Sequence, residues 1–441
     1  MSFIIFAATC FVFFLLALIK PKIVLLMLLG SYALWPAYVA FLIPGAGGVN
    51  PQRILSLLLI VAWIIQMVQM PSMRSRLLEV MNENRAVFLS AAIYFMFGII
   101  TAIISSAQPA KSMSSAVITF ISYPMIMIFV ISYFSKRKEI IQLFFTIIIL
   151  AISTEIIGIA EWMNGGNIFA IFIDPVSDIA EQMMQGAYRD EAYRIQSTFT
   201  NPLSFAEFLL LVMPISLYFI RPRQCGVAIR LFAAIQIVLG MLCIYLTASR
   251  ASILLVVMMI SFLLGWSFRN KVSKTAVVMS TSLVVLLVAA IVPWGALITY
   301  VVGDASTINS TLGRLYQLQA GIPAVLSSPL WGYGLGQGVN FVAPLVAIDN
   351  YYLTVALETG LTGLLLLLAF QVNALKLSLR TQTNTMFPSL GFFVGIALVG
   401  LFINELTLSI IQSFTFLFAI VGALMVIQMN ERSTYITARN E

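Results

Sequence analysis

The sequence predicts an all-α polytopic membrane protein, and three observations carry that prediction. Of the 441 residues, 61% are hydrophobic and only 9% are charged, where a soluble domain is roughly a quarter charged. Apolar runs recur from end to end, each near the ~20 residues that cross a bilayer as helix. The basic residues also fall mainly in alternate connections, as the positive-inside rule requires of a multi-pass chain.

The runs cover about 2–19, 23–43, 54–70, 87–106, 113–134, 140–159, 202–220, 229–248, 252–268, 276–298, 351–370, 387–404 and 409–428, which makes thirteen spans. The first 19 residues lack a basic start and a small-residue cleavage site, so they read as a retained span and not a signal peptide. Without that span the count is twelve and the remainder is unchanged. One set of connections holds Lys20, Lys22, Arg74, Arg76, Arg85, Lys136, Arg137, Lys138, Arg221, Arg223, Arg230, Arg269, Lys271, Lys274, Lys376, Arg380, Arg432 and Arg439. The other holds Arg53, Lys111, Arg189, Arg194, Arg250 and Arg314. The richer side is expected to be cytoplasmic. The net charge of +7 is then mainly a topology signal, because the basic residues are scattered over short loops and form no nucleic-acid patch.

The chain reads as a single transmembrane domain, 1–441, with no fixed-period repeat and no low-complexity tract. Two connections on the poorly basic side are long. The first, about 160–201, is rich in acids: Glu161, Asp174, Asp178, Glu181, Asp190 and Glu191. The second covers about 299–350. Within it Leu315, Leu318, Ile322 and Val325 recur near helical spacing, predicting a short interfacial helix over 312–327. Loops of this length without a domain of their own are usually functional.

Composition also removes chemistry. The chain has no histidine, which excludes histidine base catalysis, a Ser–His triad and His-ligated zinc. Cys10, Cys225 and Cys243 lie in spans or at the basic face, and no CxxC occurs. No Walker sequence and no DxD is present in the long loops, so no metal and no cofactor is expected. The spacing Gly332-Tyr333-Gly334-Leu335-Gly336 follows no strand and does not read as a dinucleotide site.

Three arginines on the sparse side sit in local motifs: Arg194 in R-I-Q-S-T-F-T-N-P, Arg250 in L-T-A-S-R-A-S and Arg314 in T-L-G-R-L-Y. A guanidinium is always charged and grips phosphate oxygens through a planar fork. Its alternative is snorkelling to lipid headgroups. Asp349 opens D-N-Y-Y-L-T-V-A-L-E-T-G, where it reads either as a helix N-cap or as a carboxylate for proton transfer. Glu207, Glu358 and Glu405 lie within or at the ends of spans, where a carboxylate must face protein or water. Glu155 and Glu207 read as structural partners of arginines.

These stretches resemble the O-antigen ligase/polymerase superfamily of bacterial membrane glycosyltransferases. The resemblance lies in 194–206, 246–252, 313–321, 328–336 and 349–364, in that order. It implies a large GT-C-like helical bundle in the bacterial cytoplasmic membrane, with its active site at the outer leaflet. It also implies a donor glycan carried on undecaprenyl pyrophosphate, with membrane lipid, a flippase and a chain-length regulator as partners. Ligases of this family typically carry a histidine where this chain has Asp349-Asn350-Tyr351-Tyr352-Leu353, so the polymerases are the better match. Asp349, Arg250, Arg314 and Glu358 are then the catalytic candidates. Arg194, Arg250, Arg314, Asn201, Asn350 and Tyr352 are the candidates for holding substrate pyrophosphate. The competing readings are a ligase moving polymer to lipid A core or another acceptor, and a transporter of a lipid-linked or anionic solute.

Overall fold

The computed structural model describes residues 2–36, 39, 41–43, 47–172, 188–189, 192–221, 225–268, 305–343, 347–381, 389–408 and 412–440. The expected span at 276–298 and the acids Asp174, Asp178, Glu181, Asp190 and Glu191 lie outside these residues. In chain order the elements are α1 (Ser2–Ile19), α2 (Pro21–Leu34), β1 (Phe41–Ile43), β2 (Gly47–Val49), α3 (Pro51–Gln69), α4 (Pro71–Glu83), α5 (Arg85–Ile104), α6 (Pro109–Ser122), α7 (Pro124–Tyr133) and α8 (Arg137–Asn164). They continue with β3 (Tyr188–Arg189), β4 (Ala192–Tyr193), α9 (Pro202–Ile220), α10 (Val227–Leu246), α11 (Arg250–Phe268), α12 (Ala305–Ser327), α13 (Tyr351–Thr381), α14 (Leu390–Asn404) and α15 (Phe414–Asn440).

Among the described residues, seven helical stretches are long and apolar enough to cross a membrane, and five shorter apolar helices accompany them. Among the described residues the fold is helical, apart from two small antiparallel hairpins, β1–β2 and β3–β4. Local sequence explains many boundaries. Pro21, Pro51, Pro71, Pro109, Pro124 and Pro202 each begin a helix, where proline loses no intrahelical bond and its φ already fits.

Three expectations differ from the structure. The run 23–43 is one helix only as far as Leu34; Trp35 is extended at φ −89°, ψ 122°, as the residue before Pro36 must be. Phe41–Ile43 then pairs with Gly47–Val49. The run 113–134 is two helices meeting at Tyr123-Pro124, and the helix expected at 312–327 extends over Ala305–Ser327. The short α4 has no counterpart among the expected spans, because Pro71–Glu83 is too polar to register as one.

Helix α9 is the most deeply buried of the long apolar helices among the described residues, whereas α10 is the most exposed. It packs on α8, α10, α11 and α14. Its Phe205 and Phe208 stack with Phe199 at 5.5 and 5.3 Å between centroids, and Phe208 meets Phe416 of α15 at 4.7 Å. Pairs of this kind add to the burial of the rings themselves.

The basic end of the bundle closes on itself. Lys22 pairs with Glu139, and Arg76 donates to the Phe134 carbonyl. Asn430 donates to the Ser135 carbonyl at 2.7 Å, and Asn84 to Met425 at 3.3 Å.

Candidate functional site

The opposite end carries the motifs. Its hub is the connection between α14 and α15. The Tyr351 amide donates to the Glu405 carbonyl at 2.9 Å, and the Thr200 amide donates to Gln412 Oε1 at 2.9 Å. Segments 194–202 and 349–353, far apart in sequence, therefore dock on one short stretch and share one end of the molecule.

In the first grouping, Arg194 Nε donates to the Thr247 carbonyl at 2.8 Å, at the C-terminal end of α10. A guanidinium there also meets the negative end of the helix dipole. The chain then turns through Ala248, at φ +48°. Ser249 Oγ lies 3.4 Å from the Ser252 amide and 2.8 Å from Ser252 Oγ. Arg250 is the first residue of α11. The T-A-S-R-A-S motif is thus a tight turn that places Arg250 beside the anchor of Arg194.

In the second grouping, Arg314 and Gln317 lie three apart on α12 and reach the same strand of chain, as an i, i+3 pair does. Arg314 Nε is 3.8 Å from Asp349 Oδ2. Gln317 is buried; it accepts from the Asp349 amide at 2.9 Å and donates to the Ala347 carbonyl at 3.1 Å. The Arg314 and Asp349 side chains remain 43% and 39% exposed, so a ligand can reach both. Burial pushes the Asp349 carboxyl above the usual carboxylate range, and Arg314 opposes that rise.

Asp349 is not used as the N-cap of α13. Asn350 takes that role, its Oδ1 accepting from the Leu353 amide at 3.0 Å. Asn201 does the same for α9, accepting from the Ser204 amide at 2.8 Å. Both asparagines have their side-chain carbonyls engaged in holding helix starts. The Tyr352 hydroxyl lies within the bundle, 2.8 Å from the Phe402 carbonyl and 3.2 Å from Gln371 Oε1.

Glu358 has a different setting. Its carboxylate accepts from the Gly336 amide at 2.9 Å and also from the Gly338 amide. Around it the Pro329–Gly338 turn is stitched to a break in α13. The Tyr333 amide donates to Leu357 at 2.9 Å, Gly334 to Glu358 at 2.8 Å, and Leu361 to Pro329 at 2.7 Å. Gly360, at φ +69° and ψ −177°, interrupts the helix there. A Cβ on Gly332, at φ +64°, would fall 2.5 Å from the backbone of residues 358–360. The glycine spacing thus makes a nest for an internal carboxylate. Trp331 stacks on Phe97 at 5.4 Å on the other side of this loop.

Glu161, at the end of α8, mirrors Glu358. It is fully buried, and its Oε2 accepts from the Gln196 amide at 3.1 Å and the Ser197 amide at 2.7 Å. Ser197 has φ +55°, and its hydroxyl donates to the Thr154 carbonyl at 2.7 Å. Glu161 therefore fixes the R-I-Q-S-T motif. The sequence reading used it only as one acid among six. Gln317, Gln412 and Glu161 were missed as site supports; the only signal for any of them is the spacing of Gln317 from Arg314. The expected arginine partner of Glu155 is corrected, since Glu155 accepts from Gln236 at 2.8 Å. Glu405 likewise takes Gln371, at 2.6 Å, and Glu207 lies beside Ser413.

Fold and site together define a polytopic helical membrane protein with two groupings, Arg194 beside the Arg250 turn and Arg314 opposite Asp349, for which no direct contact joins one to the other among the described residues. Residues 235–368 match a family model described as O-Antigen ligase. That match supports the O-antigen ligase/polymerase superfamily for this chain, and with it a glycan-transfer role of the ligase or polymerase type at a bacterial inner membrane. The matched stretch contains Arg250, Arg314, Asp349 and Glu358. No curated protein matches the chain.

Proposed function

We propose that this protein is a polysaccharide polymerase working at the outer face of the bacterial cytoplasmic membrane. It transfers a glycan from undecaprenyl pyrophosphate to the non-reducing end of another lipid-linked repeat unit. The observation that carries this reading is the half-exposed Arg314–Asp349 pair, with the helix-capping duty taken by Asn350. The sparsely basic connections that hold it are the ones the positive-inside rule places outside.

The acceptor hydroxyl oxygen attacks C1 of the donor's reducing-end sugar. The bond from C1 to the phosphate oxygen breaks, and polyprenyl pyrophosphate leaves with the bonding pair. Asp349 takes the acceptor proton. Arg250 and Arg314 offset the charge that grows on the leaving oxygen, and Arg194 supports Arg250 from the neighbouring turn. The pyrophosphate supplies the driving force, so these steps need no nucleotide. Glu358, which the sequence also offered as a base, holds the glycine-rich loop in this mechanism.

A second reading, a ligase, is favoured by the description of the matched family. One experiment separates the two. A deletion strain is complemented with wild type, Arg250→Ala or Asp349→Asn at matched membrane levels, and polymer length is read on a gel. The polymerase reading expects single repeat units only from either variant. Long lipid-carried chains that fail to reach their final acceptor indicate the ligase. Normal polymer from both variants sinks the site assignment.

A further inference from the structure

Arg53, one of the six basic residues on the sparse side, takes no part in the mechanism above. It borders a cavity of about 150 Å³ at the same end of the bundle, lined from the start of α3, the end of α6 and the start of α15. That volume is well below the several hundred Å³ of a drug-sized site and suits a single ring.

The lining combines amide, hydroxyl and aromatic side chains with Arg53 and the aliphatic Ile118, and no carboxylate is among it. Gln52 is 5% exposed; its amide nitrogen donates to the Ser31 carbonyl at 2.9 Å and to Trp35 at 3.4 Å. Its Oε1 is buried with no hydrogen-bond partner among the described residues. A buried acceptor without a donor is costly. The Tyr32 hydroxyl donates to Ser122 Oγ at 2.9 Å, and the Tyr123 ring forms part of the wall. Arg53 is the exposed, cationic member.

Gln412 connects this cavity to the arginine motifs. It lines the cavity, while its Oε1 accepts from the Thr200 amide and hydroxyl at 2.9 and 3.3 Å. A ligand seated here lies one residue contact away from the segment that begins at Arg194.

We propose that this cavity is a carbohydrate subsite that seats one sugar ring of the glycan substrate. A sugar offers hydroxyls that donate to Gln52 Oε1, hydroxyl oxygens for Arg53, and C–H faces for tyrosine rings. A phosphate would find one guanidinium among otherwise neutral groups, which fits it less well. The inference rests on the glycan-transfer reading, and it names a binding element of that site in the amino-terminal half of the chain, outside the matched residues 235–368.

The test is calorimetric titration of the full-length protein in lipid nanodiscs with the free repeat-unit oligosaccharide released from the host's own polymer. This probe has neither lipid nor phosphate. Wild type is expected to bind it saturably. Gln52→Met, which removes the acceptor, and Ile118→Trp, which fills the cavity from its apolar side, are each expected to weaken binding about tenfold, near the upper size of one hydrogen bond.

No binding by wild type, or wild-type binding by both cavity variants, overturns the proposal. So does loss confined to Gln52→Met, because that change also removes the bonds to Ser31 and Trp35. Displacement of the oligosaccharide by inorganic phosphate overturns it as well, in favour of an anion site. If the oligosaccharide binds as expected but no glycan is ever transferred from the lipid carrier to any acceptor, the glycan-transfer reading fails and the sugar site stands.

Discussion

In the first long loop, buried Glu161 accepts from the amides of Gln196 and Ser197; in the second, Glu358 accepts from those of Gly336 and Gly338. Both loops are thus pinned to the bundle by a carboxylate spent on backbone donors. They differ in what they present. The first presents Arg194, anchored on the Thr247 carbonyl at the end of α10, three residues before Arg250. The second presents Asp349, which faces Arg314 and is still two-fifths exposed. A buried carboxylate on loop amides is a fastening. An exposed one opposite a guanidinium, with the helix capped by its neighbour, is the one the proposed mechanism uses for proton transfer. In the proposed mechanism that contrast separates Asp349, the first choice of base from the sequence, from Glu358, the second, and from Glu161, which the sequence offered only as a loop acid.

The sharpest way to break the contrast is to compare Asp349→Asn with Glu358→Gln. Asparagine keeps the shape and removes the base, so elongation of lipid-linked oligosaccharide should fall at least ~100-fold, the lower range for general-base catalysis. Thermal stability should change little. Equal loss of turnover in Glu358→Gln, with unchanged stability, would move the base to Glu358.

Arg314→Gln sharpens the same contrast through pH. In the proposed mechanism Asp349 acts as the carboxylate, so the rate should fall as pH drops through its pKa. Burial already holds that pKa high, and Arg314 counteracts the rise. Removing the guanidinium should move the acid limb of the rate profile to higher pH, with a loss of about 100-fold at neutral pH for one transition-state donor. Asp349→Asn should have no such limb. An unshifted limb in Arg314→Gln would mean that another group sets it.

Changing the fastenings should weaken the fold more than the chemistry. Gly332→Ala and Gly360→Ala each force a Cβ to within 2.6 Å of opposing backbone at positive φ. Strain of this kind costs about 1–3 kcal/mol at each position, read as a lower unfolding temperature. Glu161→Gln and Glu358→Gln each keep one acceptor oxygen and lose the charge, so destabilisation should be about 1–2 kcal/mol. Turnover should fall only a few-fold in both. A stable Glu161→Gln protein without activity would give the first loop a chemical role too.

The sequence made the bundle legible because insertion into lipid requires long apolar helices, and proline marked several starts. It misplaced the end of the second run because Phe41–Ile43 is as apolar in a strand as in a helix; Pro36 was the only sign of the stop. Arg194, Arg250 and Arg314 were legible as basic residues on the sparse side within turn motifs. Glu161 and Glu358 were not legible as loop holders, because their partners are backbone amides and carry no side-chain signature. The role of Gln412 was equally hidden, since it depends on residues more than two hundred positions away meeting at one end of the bundle.

The smallest expected effect tests the division of labour between neighbours. Asn350 Oδ1 caps α13 through the Leu353 amide. If capping is its main duty, Asn350→Ala should cost about 1 kcal/mol of stability and lower turnover less than threefold, while Asn350→Ser or Asn350→Asp, which also cap, restore both. If Asn350 instead holds the pyrophosphate, Asn350→Ala should raise KM for the lipid-linked donor with stability intact. Asn350→Asp should then be worse than Asn350→Ala, because it sets a second negative charge where an anion must sit. The ordering of alanine and aspartate at this one position therefore decides whether Asp349 works beside a structural residue or beside a second ligand to the substrate.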